Sequence, residues 1–431
     1  MEADLSIKFE NMAAKEFGIS PKLIKMSEGV TKEISPVIKD IEGIVEFNQL
    51  KVLSAMKRAY LSDFHLSGST GYGYNDIGRD TIDQIYADIF KAEDALVRSH
   101  IVSGTHAISL CILGILRPGD EVLSATGTPY DTLKKVLLGE HYGSLKDFHI
   151  TYREVNLRDN KPDYDAIKAN INEKTRMVLI QRSRGYSLRP SLSIDEIGQL
   201  ISFIKSIRRD IICFVDNCYG EFVETREPIE VGADLCAGSL IKNPGGGIAP
   251  TGGYVVGKRE LVKQCAYRLT APGLDKSCGS SIFSNRLIAQ GLFFSPMVVG
   301  EALKGAIYTS RMMEKFGFEV NPKFDEKRSD IVTAVILKDK DALISFCRGI
   351  QKAGPVDSHV QPEPSAMPGY EHKVIMAGGS FVQGSSIELS ADGPLREPYA
   401  VYIQGGLSFA HVKIGIMYGL QSLMESGKLP K

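Results

Sequence analysis

The 431-residue sequence carries almost no net charge, with 51 Lys and Arg against 52 Asp and Glu. That balance gives nucleic acid or an anionic membrane no electrostatic hold, and neither is expected as a partner. No apolar run approaches the roughly 18–20 residues of a membrane span. The N-terminal Met-Glu-Ala-Asp-Leu-Ser lacks the basic and apolar regions of a secretory signal, so a cytoplasmic protein is expected. The seven cysteines (Cys111, Cys213, Cys218, Cys236, Cys265, Cys278 and Cys347) form no Cys-x-x-Cys pair, and the eight histidines are scattered. Reduced thiols are therefore expected, and no metal site. There is no GxGxxG after the first strand and no GxxxxGK followed by Ser or Thr, which excludes the two common nucleotide fingerprints. Internal repeats and low-complexity linkers are also missing.

What is present centres on Ala237-Gly-Ser-Leu-Ile-Lys242-Asn-Pro-Gly-Gly-Gly-Ile-Ala-Pro-Thr-Gly-Gly253. One lysine has a hydroxyl three residues before it and a glycine-rich run after it. The glycines would let backbone approach a cofactor without side-chain clashes. Upstream, the apolar run Ile211-Ile-Cys-Phe-Val ends in Asp216. A lysine able to form a Schiff base and an acid able to hold a pyridinium nitrogen are what pyridoxal phosphate chemistry requires. Taken alone, Lys242 reads rather as a solvated lysine in a loop, and it is the acid at the strand end, the hydroxyl three residues before it and the Ser-Gly-Thr turn at 103–105 that reverse this.

Along the chain, residues 1–60 read as helices, an arm that could pack on a second subunit. The loop Ser67–Asp80 holds four glycines with Tyr72, Tyr74 and Arg79, and reads either as a surface turn or as donors for an anion. Asp80–Phe90 is an amphipathic helix. Ala95–Val102 reads as a strand, followed by Ser103, Gly104, Thr105 and an apolar helix. That junction makes a phosphate cradle or a plain N-cap. Tyr130, at the start of another helix, could stack on a flat ring. Strands at 174–181 and 210–216 flank a helix at 194–207, and Gly252–Gly257 is a strand leaving the site. Phe283–Phe294 and Met297–Phe316 read as two helices. From about Phe318 the pattern changes to strands at 329–337, 380–389 and 399–405, with a closing helix over 412–424.

Alternating strands and helices predict a mostly parallel sheet, which binds ligands beyond the carboxyl ends of its strands. Ser103, Thr105, Tyr130, Gln181, Arg184 and Asp216 all fall at such ends. The expected organisation is an N-terminal helical arm (1–60), a large α/β domain (61–317) and a small C-terminal α+β domain (318–431).

The order of these motifs resembles the fold type I pyridoxal phosphate enzymes, in particular the cystathionine and methionine gamma-lyase group. The block from Gly238 to Tyr254 is similar to the bacterial carbon–sulfur lyase-like proteins associated with aluminium resistance. The resemblance implies a mixed, mostly parallel seven-stranded sheet in the large domain. It implies that Lys242 holds pyridoxal phosphate and moves the substrate's α-proton, that Asp216 pairs with the ring nitrogen, and that Tyr130 stacks on the ring. Ser103, Gly104, Thr105 and Ser239 would hold the phosphate. Tyr72 or Tyr74, with Arg79, would reach the phosphate of a neighbouring subunit, making a homodimer or homotetramer. The implied reaction is β- or γ-elimination from a sulfur amino acid. The sequence departs from the group where an arginine should bind the substrate carboxylate: His411-Val-Lys413 stands there, and Arg396, with Arg184, becomes the candidate. Transamination, racemisation, aldol cleavage and non-catalytic cofactor binding remain open at this point.

Overall fold

The structure is a computed structural model that describes residues 2–141 and 143–430, with side chains from residue 8 onward. The chain forms two compact units, residues 44–297 and residues 1–43 with 298–431. The grouping differs from the expected segments. Residues 44–60 belong with the large sheet, and the first 43 residues belong with the C-terminal part.

Residues 44–297 build a seven-stranded sheet: β1 (Asp94–Arg98), β2 (Glu121–Ser124), β3 (Thr151–Glu154), β4 (Thr175–Gln181), β5 (Ile212–Asp216), β6 (Leu235–Ser239) and β7 (Gly253–Gly257). The strand order is β1-β7-β6-β5-β4-β2-β3. Neighbours from β6 to β3 run parallel, while β7 runs antiparallel to both β6 and β1. The expected mixed, mostly parallel sheet is thus present. Its strands are almost wholly buried because both faces are covered, except the edge strand β3, Thr-Tyr-Arg-Glu, which is partly exposed. Along β5, Ile212 and Phe214 join one core with the helices Gly104–Ile115 and Arg259–Leu269, while Cys213 and Val215 join another with the helix Ile194–Ile207. That last helix begins at a capping box, Ser193 with Glu196, which fixes its start from local chemistry alone.

The other unit carries a five-stranded sheet of β8 (Glu319–Asn321), β9 (Val332–Ile336), β10 (Val374–Ala377), β11 (Ser390–Pro394) and β12 (Ala400–Gln404), in the order β10-β11-β12-β9-β8 with every neighbouring pair antiparallel. Helices Lys340–Lys352 and Phe409–Glu425 pack closely where Gly349 faces the Tyr418 carbonyl and Gly419 faces the Phe346 ring.

Two expectations are corrected here. The stretch 380–389 is an irregular loop and not a strand, because the Glu388 carboxylate accepts the Phe381 and Val382 N–H groups at 2.8 and 3.0 Å and folds the chain back on itself. The two helices expected around residue 296 are one, Asn285–Lys315, with Pro296 inside it. A proline normally breaks a helix interior. Here the Ser295 hydroxyl donates to the Asn243 carbonyl at 2.7 Å and lies 3.1 Å from the Gly291 carbonyl, tying the helix to the lysine loop beside it. Six of the seven cysteines are buried and all are free. Among the described residues no helix is long and apolar enough to cross a membrane.

Candidate active site

The carboxyl ends of β1, β5 and β6 converge on one small region. After β1 the chain turns into the helix Gly104–Ile115. The Ser103 hydroxyl caps that helix by accepting the His106 N–H at 3.0 Å. The cap leaves the first helical N–H groups, those of Gly104 and Thr105, to point outward at a site suited to an anion. A Cβ on Gly104 would lie 3.2 Å from Cys218 Sγ, 3.5 Å from Ser239 Cβ and 3.9 Å from Lys242 Nζ. Glycine at 104 therefore keeps open a cradle walled by residues that follow β5 and end β6. The Thr105 hydroxyl meets that of Thr132 at 2.9 Å.

Ser239, the last residue of β6, is 1% exposed, and its Oγ has no protein hydrogen-bond partner. A buried hydroxyl without a partner is costly, so a donor held free at the mouth of an anion cradle is informative. Asp216, the last residue of β5, is buried and accepts the Cys218 N–H at 3.1 Å. Burial pushes its carboxyl up, opposed by Lys242. Burial also pulls on the Lys242 ammonium, but Cys218, Tyr219, Asp216 and Tyr130 outweigh it and hold the group above the usual lysine range. Tyr130 is half-buried before the helix Asp131–Leu138, and its N–H is 3.2 Å from Gln181 Oε1 at the end of β4. Burial and then Asp216 push its phenol well up.

Gly104, Tyr130, Asp216, Ser239 and Lys242 are thus brought together, with Ser103 and Thr105 at the rim. The glycine run after Lys242 serves a different purpose from the one expected. A Cβ on Gly246 would stand 2.4 Å from the Gly291 carbonyl, and one on Gly291 would stand 2.3 Å from the Gly245 carbonyl. At Gly245 and Gly246 the run admits the helix Asn285–Lys315, and Gly252 and Gly253 close on Leu240, Arg98 and Ile101.

Tyr72 and Tyr74 are exposed and stack on each other, with ring centroids 5.4 Å apart. Arg79 is buried, and its guanidinium donates to the Gly73, Gly279 and Ser277 carbonyls at 2.7, 2.8 and 3.3 Å. Within its own chain it clamps two loops. Arg184 is buried in the loop after β4, next to Gly185, where a Cβ would lie 3.6 Å from Tyr130 Cβ. Arg396 sits in the β11–β12 turn of the other unit.

Three residues after Asp216 escaped the sequence reading. The Cys218 thiol faces the cradle. The Tyr219 ring lies under Lys242, with Nζ 3.9 Å from the ring centroid. Glu221 is fully buried, and burial pushes it up to about 8. It accepts a 2.8 Å hydrogen bond from the Tyr254 hydroxyl, and Gly238 leaves room for that pair, since a Cβ there would meet Glu221 Oε1 at 2.5 Å. Their one sequence signal was a polar, aromatic and acidic run directly after an apolar strand.

The site offers a lysine amine, a buried acid on the neighbouring strand end, an unpartnered serine hydroxyl and an open helix N-terminus. A phosphorylated ring aldehyde fits this donor set. The uncharacterized protein YnbB of Bacillus subtilis (strain 168) is 54% identical over 407 residues, 94% of this chain and 97% of that protein. The carbon-sulfur lyase involved in aluminum resistance from Clostridium novyi NT is 50% identical, with a TM-score of 0.92 over 96% of this chain and 98% of that one. L-methionine gamma-lyase of Pseudomonas putida is 28% identical over 210 residues, 49% of this chain and 48% of that enzyme. The methionine gamma-lyase family matches residues 23–424, and with the site assembled as above the chain belongs to that family, whose cofactor is pyridoxal phosphate.

Proposed function

We propose that the protein is a carbon–sulfur lyase that releases a thiol, a keto acid and ammonia from a sulfur-containing amino acid by β- or γ-elimination. The observation that carries this reading is the meeting of Lys242 Nζ, the unpartnered Ser239 hydroxyl and the Gly104 cradle within a few ångströms, one strand away from Asp216. Bound there, pyridoxal phosphate supplies an electron sink that makes the substrate's α-proton acidic. Lys242 would bind the cofactor's aldehyde carbon and, once displaced by substrate, take the proton from the substrate Cα. Asp216, as the ionised carboxylate, would hold a proton at the ring nitrogen. Ser239 and the Gly104 and Thr105 N–H groups would orient the phosphate. Tyr130 would cover one ring face and exclude water. Arg184 is the candidate within this unit for the substrate carboxylate.

A second copy of this chain is the proposed partner. The loop pair 64–78 and 277–285 is joined by hydrogen bonds and leaves four aromatics, Phe64, Tyr72, Tyr74 and Phe283, exposed together with Ile282, an apolar set larger than scattered surface residues would give. The testing experiment is borohydride reduction of the purified protein followed by peptide mapping, with a screen of sulfur amino acids for keto acid release. A pyridoxyl adduct on the Lys242 peptide together with thiol release is expected. A protein that carries the adduct but releases keto acid only from amino acids without sulfur overturns the lyase reading.

A further inference from the structure

The turn after β5 is built at some cost. Tyr219 and Phe222 both adopt left-handed backbone, with φ of 71° and 62°, a conformation bulky side chains avoid and one that concentrates at functional sites. The turn is held from below by Arg182, fully buried, whose guanidinium donates to Asn217 Oδ1 at 2.8 Å, to the Gly220 carbonyl at 2.9 Å and to Glu224 Oε1 at 3.0 Å. A Cβ on Gly220 would collide with that guanidinium at 2.6 Å. Asn243, next to Lys242, donates to the Glu221 carbonyl at 2.9 Å and locks the lysine loop to the same turn. Among the contacts the turn presents, the Tyr219 ring faces Lys242 Nζ at 3.9 Å.

We propose that Tyr219 is a positioning residue whose ring face holds the Lys242 ammonium when the lysine is not bonded to the cofactor. This rests on reading Lys242 as the cofactor's lysine, which the borohydride mapping tests separately. An aromatic face attracts a cation through its quadrupole, more strongly where water is excluded. Were Lys242 to hold the cofactor, its amine would be released whenever an amino acid substrate took its place. On leaving it needs a surface that keeps the amine close and favours the protonated state it reaches after taking the α-proton. Asp216, Cys218, Tyr130 and Glu221 also act on Lys242, and all four stay in place when Tyr219 alone is changed.

The experiment uses the cofactor-free full chain. Carbamylation of Lys242 by cyanate, a small reagent selective for the neutral amine, is followed by peptide mass spectrometry between pH 6 and 9, with exposed lysines as internal references. Tyr219→Leu removes the ring, so the ammonium loses its support and Lys242 is expected to react about 3- to 30-fold faster than in the wild type at a given pH. Tyr219→Phe keeps the ring and loses the phenol, and is expected to react within about twofold of wild type. Reference lysines should not change. A Leu variant with the wild-type rate overturns the proposal. So does a Phe variant that matches Leu, because the phenol and not the ring would then be responsible. Should Leu fail to fold, Tyr219→Met, which also lacks the ring, takes its place with the same two outcomes.

Discussion

Replacing Ser239 with alanine should move two properties in opposite directions. The hydroxyl is 1% exposed and its oxygen has no protein partner. In the cofactor-free protein its burial costs roughly 1–3 kcal/mol of desolvation, which alanine removes without opening a cavity larger than one atom. For a chain of this size about 1 kcal/mol corresponds to about 1–2 °C in Tm. Ser239→Ala should therefore raise the cofactor-free Tm by about 1–5 °C. If the hydroxyl donates to the cofactor's phosphate, the variant also loses one charge-assisted hydrogen bond, about 1.5–3 kcal/mol, or about 10- to 150-fold in affinity. Calorimetry of the cofactor-free protein measures the first effect, and titration with pyridoxal phosphate followed by visible absorption measures the second. A lowered Tm would mean that the hydroxyl has a partner in the folded chain. An unchanged affinity would remove Ser239 from the phosphate site.

Asp216→Ala should fold, retain the cofactor weakly and lose about 100-fold or more in turnover, since a preorganised charge partner at the reacting ring is removed; turnover at saturating cofactor checks this. Gly291→Ala should lower stability by roughly 1–3 kcal/mol, because its Cβ would stand 2.3 Å from the Gly245 carbonyl in a closely packed contact; an unchanged urea midpoint would refute the close approach. Glu221 gives a pH signature. Its folded pKa of about 8 lies above the ordinary 4.5, so the folded chain keeps a proton that the unfolded chain releases. Its contribution is fully present below pH 4.5 and is lost as pH rises through 8, a fall of about 5 kcal/mol at 1.36 kcal/mol per unit. Glu221→Gln should flatten stability across that window, and denaturant melts at pH 5, 6.5 and 8 measure it.

Local chemistry made much of this legible in sequence. The helix Ile194–Ile207 was readable because apolar spacing and its cap agree, and Asp216 because a fully apolar strand ends in a charge. Ser103 and Gly104 were readable because a strand-turn-helix junction has few solutions. What escaped depends on contacts between distant segments. Pro296 looked like a break because the bond that ties its helix in place, from the Ser295 hydroxyl to the Asn243 carbonyl, joins residues 52 positions apart. The glycines after Lys242 looked like a cofactor approach because Gly291, the neighbour they admit, lies far along the chain. Tyr219 showed only as the aromatic in a polar run after an apolar strand: its φ and the cation above its ring exist only once Arg182 has fixed the turn. The direction of β7 was equally hidden, since parallel and antiparallel buried strands share the same apolar pattern.

That reversed strand bears on how the lysine segment could change over time. Because β6 and β7 lie side by side and run in opposite directions, residues 240–252 begin and end one strand spacing apart, closed by the Leu240 N–H on the Gly252 carbonyl at 2.9 Å. A segment anchored this way costs little closure entropy, and doubling its length would add only about 0.6 kcal/mol. Lys242 sits two residues beyond Leu240, so its reach is set by β6. Insertions past the helix-packed Gly246 could reshape the rim of the pocket, and with it the choice of amino acid, while the amine stays where the sheet puts it.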